Sequence, residues 1–282
     1  MSTQIQLMKK NWRFIICLSV VIIIISIGVI GPYLTVNAYD FVGGMYQPPS
    51  WETGHILGTD LYGRDVWAEL VLGIHNSLIV GFISSLIGLF IAVVIGGFAG
   101  YIGGIPDLML STFVNVILVI PLVPLLMVFS VLFKVRSIYV VAGIIAITMW
   151  PGIARSIRAQ VLSLRERNFI YLAVTSGKSN FNIIFREIFP NMLAYIFTLF
   201  CGMVGGAIMA EAGISLLGLG PSTTITLGMM LHEAVQCYAI DLGAWWWFIP
   251  PGLILLIFIG TLFLLSSTID DILNPKLQGR QR

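Results

Sequence analysis

Charged residues are scarce in this 282-residue chain. Only 10% of its residues are Asp, Glu, Lys or Arg, whereas soluble domains carry about 25%. With 58% hydrophobic residues and a mean hydropathy of +0.97, the chain has more apolar surface than a soluble fold can bury. The net charge of +2 is too small to indicate a nucleic-acid partner. The composition therefore predicts an all-α protein with several helices that cross a lipid bilayer.

Cysteines and histidines are also few, with three of each, and neither set is spaced for metal binding or catalysis. Cys17, Cys201 and Cys237 lie far apart, which argues against a disulfide framework. His232 and Cys237 share one predicted external loop with two methionines, so a soft-metal site is one alternative there. Ordinary loop residues are the better explanation, because ligands at metal spacing are missing. We predict no metal, no catalytic residue, no cofactor and no enzymatic activity.

Six apolar stretches reach the length of about 20 residues that a bilayer-spanning helix needs. They lie at 14–34, 78–102, 108–133, 137–157, 193–217 and 246–268. The first is too long and apolar for a cleaved signal, so we predict a retained anchor. The chain then divides into an N-terminus with the anchor (1–36), an extracytoplasmic loop (37–77), a five-helix core (78–268) and a tail (269–282).

Basic residues set the predicted orientation of these spans. Those before the first span and after the last one place both termini in the cytoplasm, because Lys and Arg concentrate on the cytoplasmic side. They are Lys9, Lys10, Arg13, Lys276, Arg280 and Arg282. The acidic loop 37–77 then lies outside, as its charge requires. One short loop disagrees, because Lys134 and Arg136 come out on the external side.

A basic segment at 155–191 holds six of the fifteen Lys and Arg residues of the chain. They are Arg155, Arg158, Arg165, Arg167, Lys178 and Arg186. Apolar residues at helical spacing on both sides of a glycine predict a helix, a turn and a second helix, which Pro190 ends. They are Phe169, Ile170, Leu172, Ala173, Gly177, Phe181, Ile184, Phe185 and Ile188. Such a cytoplasmic loop suits docking into a groove on a partner, the alternative being a helix on the membrane surface.

The tetrapeptide at 176–179, SGKS, is not a nucleotide site despite its appearance. A phosphate-binding loop needs an earlier glycine, where this chain has Leu172, and it follows a strand rather than an apolar span. If ATP drives this protein, another subunit must bind it.

Small residues and prolines recur within the spans. One stripe in the second span repeats every fourth residue and comprises Ser84, Gly88, Ala92, Gly96, Gly100 and Gly104. A shorter one in the fifth span comprises Gly202, Gly206 and Ala210. Such stripes let another helix approach closely, either in static packing or in a bundle that moves. Pro121, Pro124 and Pro151 are expected to kink their spans.

Two features near span ends are less easily assigned. Glu211 lies near the outer end of the fifth span. An ionisable residue in a span indicates either a function or a structural contact, because its burial is costly unless it is paired. Trp245, Trp246 and Trp247 head the last span, where tryptophans are typical of an interfacial belt, with sugar stacking as the lesser alternative.

Several motifs in order carry a family resemblance. Residues 55–60 read HILGTD and 63–65 read GRD, residues 211–220 read EAGISLLGLG, residues 228–231 read GMML, and residues 271–277 read DILNPKL. In this order they resemble the inner-membrane permeases of ATP-binding-cassette (ABC) importers in the dipeptide/oligopeptide/nickel class. The resemblance covers nearly the whole chain after the first span and implies the type I ABC-importer permease fold.

The same resemblance implies roles for particular residues. The loop at about 158–191 is similar to the family's EAA loop, the coupling helix that sits in a groove on the ATPase. The residues expected to couple to the ATPase are Phe169, Ile170, Leu172, Ala173, Gly177, Ser179, Arg186, Pro190 and Asn191. The expected structural or gating residues are Glu211, Gly218 and Gly220. The external motif comprises Gly58, Thr59, Asp60, Gly63, Arg64 and Asp65.

The implied function is that of one of two paralogous permease subunits in the cell membrane. Each would form half of the translocation path, with two cytosolic ABC ATPases and an extracytoplasmic solute-binding protein as partners. The resemblance leaves the cargo open between oligopeptides and short oligosaccharides, with nickel or a metal chelate as a lesser alternative. An ion-driven secondary transporter is the rival function. It predicts ionisable residues near mid-membrane and an internal repeat, and the sequence offers only Glu211 and no clear repeat.

Overall fold

The computed structural model describes residues 11–133 and 137–273. Ten α-helices lie within these ranges: α1 (Trp12–Ile30), α2 (Val66–Ile102), α3 (Gly104–Val119), α4 (Leu122–Leu132), α5 (Ile138–Arg165), α6 (Asn168–Thr175), α7 (Asn180–Ile183), α8 (Phe189–Leu216), α9 (Leu227–Gln236) and α10 (Trp245–Leu273). A 3-10 turn (Gly31–Tyr33) follows α1, and a π-helical turn (Ile184–Ile188) joins α7 to α8. The orientation signals at Lys9, Lys10, Lys134, Arg136, Lys276, Arg280 and Arg282 lie outside the described residues, as does most of the predicted tail.

Five helical stretches are long and apolar enough to cross a membrane, and the count is six if α3 and α4 form one span. The prediction of a polytopic helix bundle is therefore confirmed. Most of the helices are longer than the apolar stretches that predicted them, although α1, with 19 residues, is slightly shorter than the stretch 14–34. For example, α5 continues to Arg165 and α10 to Leu273, so the start of the predicted tail is helical.

The predicted third span is broken rather than kinked. Helices α3 and α4 meet at an angle of 86°. Ile120 is extended, with ψ of 123°, because Pro121 disfavours a helical conformation in the residue before it and has no N–H for the helix ladder. Pro124 fits within the first turn of α4, and α5 continues through Pro151 without a break. Of the three predicted kinks, the pronounced bend thus falls at Pro121.

Helix α2 begins at Val66 rather than near residue 78, so part of the predicted external loop is helical. Asp65 caps the helix by accepting a hydrogen bond from the amide of Ala68 at 2.9 Å, and Glu69 adds a favourable negative charge to the first turn. At 37 residues the helix is about 55 Å long, well beyond the roughly 30 Å of a bilayer's hydrocarbon core. A helix of this length exceeds what a bilayer core needs, and its first turns contact the external motif through Asp65 and Glu69.

The small-residue stripe of α2 packs against α5 within this subunit. A β-carbon at Gly96 would lie 2.4 Å from the carbonyl oxygen of Ala154, so glycine is required for this close approach. The facing pairs are Gly88 with Ala146, Gly96 with Ala154, and Gly100 with Arg158. Because the partners advance in step along both helices, α2 and α5 run parallel.

The second stripe does not behave in the same way. A β-carbon at Gly202 would have no atom within 4 Å, and one at Gly206 would meet only the Met149 side chain, at 3.0 Å. The close helix contact expected at this stripe is therefore absent from the described part of the subunit. The small residues instead leave this face of α8 open.

Candidate functional site

The predicted helix–turn–helix segment is present, and Gly177 forms its turn. Gly177 has a φ of +74°, and its N–H donates to the carbonyl of Val174 at 3.0 Å. The N–H of Lys178 donates to the carbonyl of Ala173 at 3.3 Å. These two bonds and the left-handed glycine define a Schellman ending of α6. Ser179 then caps α7 by accepting a hydrogen bond from the amide of Asn182.

Helix α6 presents two different faces. Ile170 and Ala173 are 2% and 4% exposed and pack in a cluster with residues of α2, α5, α7 and α8. Leu172 is 64% exposed and Tyr171 is 71% exposed. The predicted apolar side, which joined Ile170 and Ala173 to Leu172, is therefore wrong as a single face. The two buried residues anchor the helix, and the outward residues are the ones available to a partner.

The second helix of the segment does not end at Pro190. Residues 180–216 form one continuous 37-residue helix through the π-helical turn. The N–H of Phe189 donates to the carbonyl of Ile184, the wider spacing of a π-turn. Pro190 stands in the first turn of α8, and Asn191 donates from Nδ2 to the carbonyl of Glu187 at 2.7 Å. The predicted stop at Pro190 is wrong, and the second helix of the segment continues directly into α8.

Four phenylalanine rings cluster at this junction, where the segment, α8 and α2 meet. Phe181 and Phe185 have ring centroids 4.3 Å apart, Phe185 and Phe189 are 5.1 Å apart, and Phe98 of α2 lies 6.2 Å from Phe185. Lys178 in the turn pairs with Glu187 at 2.5 Å, which bridges the turn to the π-helical stretch. Arg186, Pro190 and Asn191 are exposed.

The external motif forms an ion cluster around Arg64. Its guanidinium pairs with Asp60 at 2.6 Å, with Glu69 at 2.9 Å and with Glu233 at 2.7 Å. Burial by itself would lower the pKa of Arg64, but the neighbouring carboxylates outweigh it and hold that pKa above its ordinary value. Since Glu69 belongs to α2 and Glu233 to α9, Arg64 joins the external loop to both helices.

The other residues of the motif shape the loop. Gly58 and Gly63 have positive φ angles, and a β-carbon at either would lie 2.3 Å from a backbone oxygen. Thr59 is fully buried, and its hydroxyl donates to the carbonyl of Gly44 at 2.6 Å. Asp65 pairs with His55 at 2.8 Å while it caps α2. These contacts thus hold the loop in one conformation against the helix bundle.

Glu211 is fully buried, at the opposite end of α8 from the predicted helix–turn–helix segment. Its carboxylate accepts hydrogen bonds from the hydroxyls of Ser215 at 2.6 Å, Thr226 at 2.7 Å and Ser77 at 3.4 Å. Thr226 caps α9, and Ser77 of α2 accepts a hydrogen bond from the amide of Leu227 at 3.1 Å. This Glu211 node therefore joins α8, α2 and the start of α9.

Gly218 and Gly220 form the turn that follows α8. Gly218 has a φ of +73°, and a β-carbon there would lie 3.1 Å from the ring of His232. A β-carbon at Gly220 would lie 2.0 Å from the Ser215 hydroxyl, so the chain can fold over the Glu211 node only with glycine at this position.

The tryptophans at the start of α10 and His232 of α9 make contacts within this subunit. Trp247 is fully buried, and Trp246 donates from its indole to the carbonyl of Thr59 at 3.1 Å, so these two do not form an interfacial belt. Trp245 is half exposed. His232 bonds the carbonyl of Leu216 at 3.0 Å. Among residues 11–133 and 137–273, no group of three His, Cys, Asp or Glu side chains converges as a metal site would require.

Two candidate regions thus lie at opposite ends of α8: the helix–turn–helix segment and the Glu211 node. Comparison with known proteins shows which family carries them. A family model described as "Binding-protein-dependent transport system inner membrane component" matches residues 92–279. The chain belongs to this family. It is an inner-membrane permease component of an ABC importer, of the class that contains the peptide permeases, and such components are non-catalytic. The resemblance predicted from the motifs is confirmed.

Named relatives cover most of the chain. The oligopeptide transport system permease protein OppC of Lactococcus lactis subsp. cremoris is 31% identical over 249 residues, 88% of this chain and 83% of the relative. The dipeptide transport system permease protein DppC of Alkalihalophilus pseudofirmus is 32% identical over 275 residues, 96% of this chain and 88% of the relative. DppC of Bacillus subtilis is 30% identical over 274 residues, 96% and 84% respectively.

Sequence reasoning missed several residues that complete these regions. Glu233, Thr226 and Ser77 supply the partners of Arg64 and Glu211. The capping pattern at the start of α9, a threonine before an apolar run, was the one local signal for Thr226. The other two are far from their partners along the chain and had no such signal.

Proposed function

We propose that this chain is one of two related permease subunits that together enclose a path for oligopeptides. A solute-binding protein delivers the peptide to the external face, two cytosolic ATPases drive transport, and one of them binds the coupling segment of this chain, at residues 168–188. Both termini are cytoplasmic in this arrangement. The names of the relatives support peptides over oligosaccharides or nickel as cargo.

The observation that carries the coupling proposal is the outward face of a firmly anchored segment. Tyr171, Leu172 and Phe181 are between 61% and 71% exposed, on short helices whose opposite faces are buried. An exposed apolar face on a projecting helix is a typical ligand for a groove on another protein. Lys178, in the turn after α6, forms its ion pair with Glu187 of the same segment. We therefore expect the ATPase to recognise the apolar side chains and the backbone shape of the segment rather than this charge.

The continuous helix explains how docking reaches the membrane. From Asn180 to Leu216 the chain rises about 55 Å as one helix, from the coupling turn to the outer end of the bundle. Its outer end is tied through Glu211 to α2 and α9. A displacement of the coupling turn by the ATPase therefore moves α8 and acts on the contacts of the Glu211 node.

A charge placed on the outward face tests this proposal. Leu172→Asp leaves the buried anchors in place and removes a side chain whose burial contributes about 1.5–3 kcal/mol, equivalent to a 10- to 100-fold change in affinity. We expect the ATPases to dissociate from the purified complex and peptide uptake to fall by at least about 10-fold. The measurements are copurification of the ATPases and uptake in proteoliposomes.

Ile240→Asp is the matched control, because Ile240 is similarly exposed, at 57%, and lies beyond α9 in the predicted external region. It should retain its ATPases. Full ATPase retention by the Leu172→Asp protein would rule out the assigned docking face. Peptide uptake driven by an ion gradient without any ATPase would favour the rival secondary transporter.

A further inference from the structure

A groove with a polar end and an apolar remainder lies between α5 and the broken span formed by α3 and α4. Its polar end is a cavity of about 180 Å³ between α3 and α5. Four polar side chains line it: Ser111 and Asn115, one turn apart on α3, and Arg155 and Arg158, one turn apart on α5. Two guanidinium groups with an amide and a hydroxyl form a donor set suited to an anion.

The two arginines differ in their pairing. Arg158 donates to both carboxylate oxygens of Asp107, with 2.7 Å between Nη2 and Oδ2, so its charge is compensated within the protein. Arg155 has no hydrogen-bond or ion-pair partner among the residues that the structure describes, and its side chain is exposed beside the cavity. The cavity therefore has one uncompensated positive charge.

Two further cavities lie along α5 toward its start, the first beside the junction of α3 and α4 and the second beside α4, and both are mostly apolar. The next cavity, of about 320 Å³, is lined by residues that include Leu118, Pro121, Met149 and Gly152. Gly152 keeps it open, since the nearest atom to a β-carbon there is in Leu118, at 3.9 Å. A third cavity of about 300 Å³ follows toward the start of α5, lined by residues such as Phe129, Gly143 and Ile147.

The order of these cavities matches the two parts of a membrane lipid. We propose that the groove binds an anionic phospholipid of the inner leaflet, with its phosphate at Arg155 and an acyl chain along Leu118 and Gly152. The proposal rests on the orientation in the proposed function, which places the Arg155 end of α5 on the cytoplasmic side. That leaflet is where anionic headgroups attract basic side chains. A free anion would account for the polar cavity alone, whereas a lipid accounts for the whole groove.

The test is lipid binding to the intact transporter complex, measured by native mass spectrometry with phosphatidylglycerol and phosphatidylcholine of the same acyl chains. Arg155→Gln should weaken phosphatidylglycerol binding by at least about fivefold, the effect of one basic residue at a membrane surface. Gly152→Leu should weaken it independently, by filling the apolar part of the groove. Arg13→Gln is the control, since Arg13 is an exposed cation beside the predicted inner end of α1 and outside the groove, and it should bind as the wild type does.

Unchanged phosphatidylglycerol binding in both groove variants would overturn the proposal. So would displacement of the lipid by equimolar inorganic phosphate, which would indicate a plain anion site, or by peptide cargo, which would indicate part of the transport path. A photoreactive residue in place of Gly152 should capture lipid, and capture of the other permease subunit would mean that protein covers the groove. Lipid binding is measured without ATP, so it is independent of the Leu172→Asp result.

Discussion

Replacing Gly177 tests whether the geometry of the turn between α6 and α7 is what couples the ATPase to transport. The perturbation is a series of three variants, Gly177→Ala, Gly177→Asn and Gly177→Val. Because a β-carbon at this position would have no atom within 4 Å, none of the three clashes with the subunit itself. The variants therefore differ in how well they accept the backbone conformation and in how far they project.

The magnitude follows from the φ angle of +74° at Gly177. A residue with a β-carbon loses about 1–2 kcal/mol in the left-handed region, and a β-branched residue loses the most. Asn loses less, because its side chain tolerates this conformation. A cost of 1–2 kcal/mol lowers the population of the turn relative to its alternatives by about 5- to 30-fold.

The assay is the amount of peptide transported per ATP hydrolysed, in proteoliposomes that contain the complete transporter and the binding protein. If backbone geometry couples the two, Gly177→Asn stays near wild type, Gly177→Ala falls and Gly177→Val falls furthest, while ATP hydrolysis continues. If bulk at the interface is decisive, Asn and Val fall together and Ala is spared. Wild-type coupling in the Val variant would refute the role assigned to the turn.

Two further predictions concern the stability of the bundle, measured as the free energy of unfolding in detergent. Glu211→Leu should lower the free energy of unfolding by about 1–3 kcal/mol, because the buried hydroxyls of Ser215 and Thr226 lose their acceptor. Glu211→Gln keeps an acceptor oxygen and should lower it less. Equal values for the two variants would mean that the hydrogen bonds of the Glu211 node do not contribute to stability. Gly96→Ala should lower it by about 1–3 kcal/mol because its β-carbon would lie 2.4 Å from the Ala154 carbonyl oxygen. Gly260→Ala, in an open part of α10, should raise it by up to about 1 kcal/mol, and the same sign for both glycine variants would contradict the packing argument.

The membrane helices were largely predictable because a bilayer imposes a length of about 20 apolar residues. Their ends were not, since hydropathy cannot separate a polar residue in a loop from one that faces the protein. The first turns of α2 contain Glu69, His75 and Asn76, which made them resemble a loop. In the structure Glu69 pairs with Arg64, and Asn76 donates to the carbonyl of Ile225 at 2.7 Å. Glu69 thus has an ion-pair partner and Asn76 a hydrogen-bond partner inside the bundle, and hydropathy does not reveal either.

The coupling segment was located by charge and by Gly177, but its faces were not predictable. In α6 the apolar residues run through Phe169, Ile170, Tyr171, Leu172, Ala173 and Val174, so almost every direction around this short helix is apolar. Periodicity then cannot choose an inner side. Packing against α2, α5 and α8 makes the choice.

The partners of the external motif were equally hidden from the sequence. Arg64 and Glu233 are 169 residues apart, and their contact follows from how α9 returns to the outer end of α2. The expected roles of Gly218 and Gly220 in gating stay predictions.

The parallel contact between α2 and α5 has a consequence for how a transport path can open. Gly88, Gly96 and Gly100 bring backbone against backbone at regular intervals, so a slide of one helix along the other would drive a carbonyl into the next side chain. We therefore expect the two helices to stay in register and to move together. We then expect the movement that opens a path in the elements around this pair, among them α8 and the two arms of the broken span, which meet next to Pro121 at 86°.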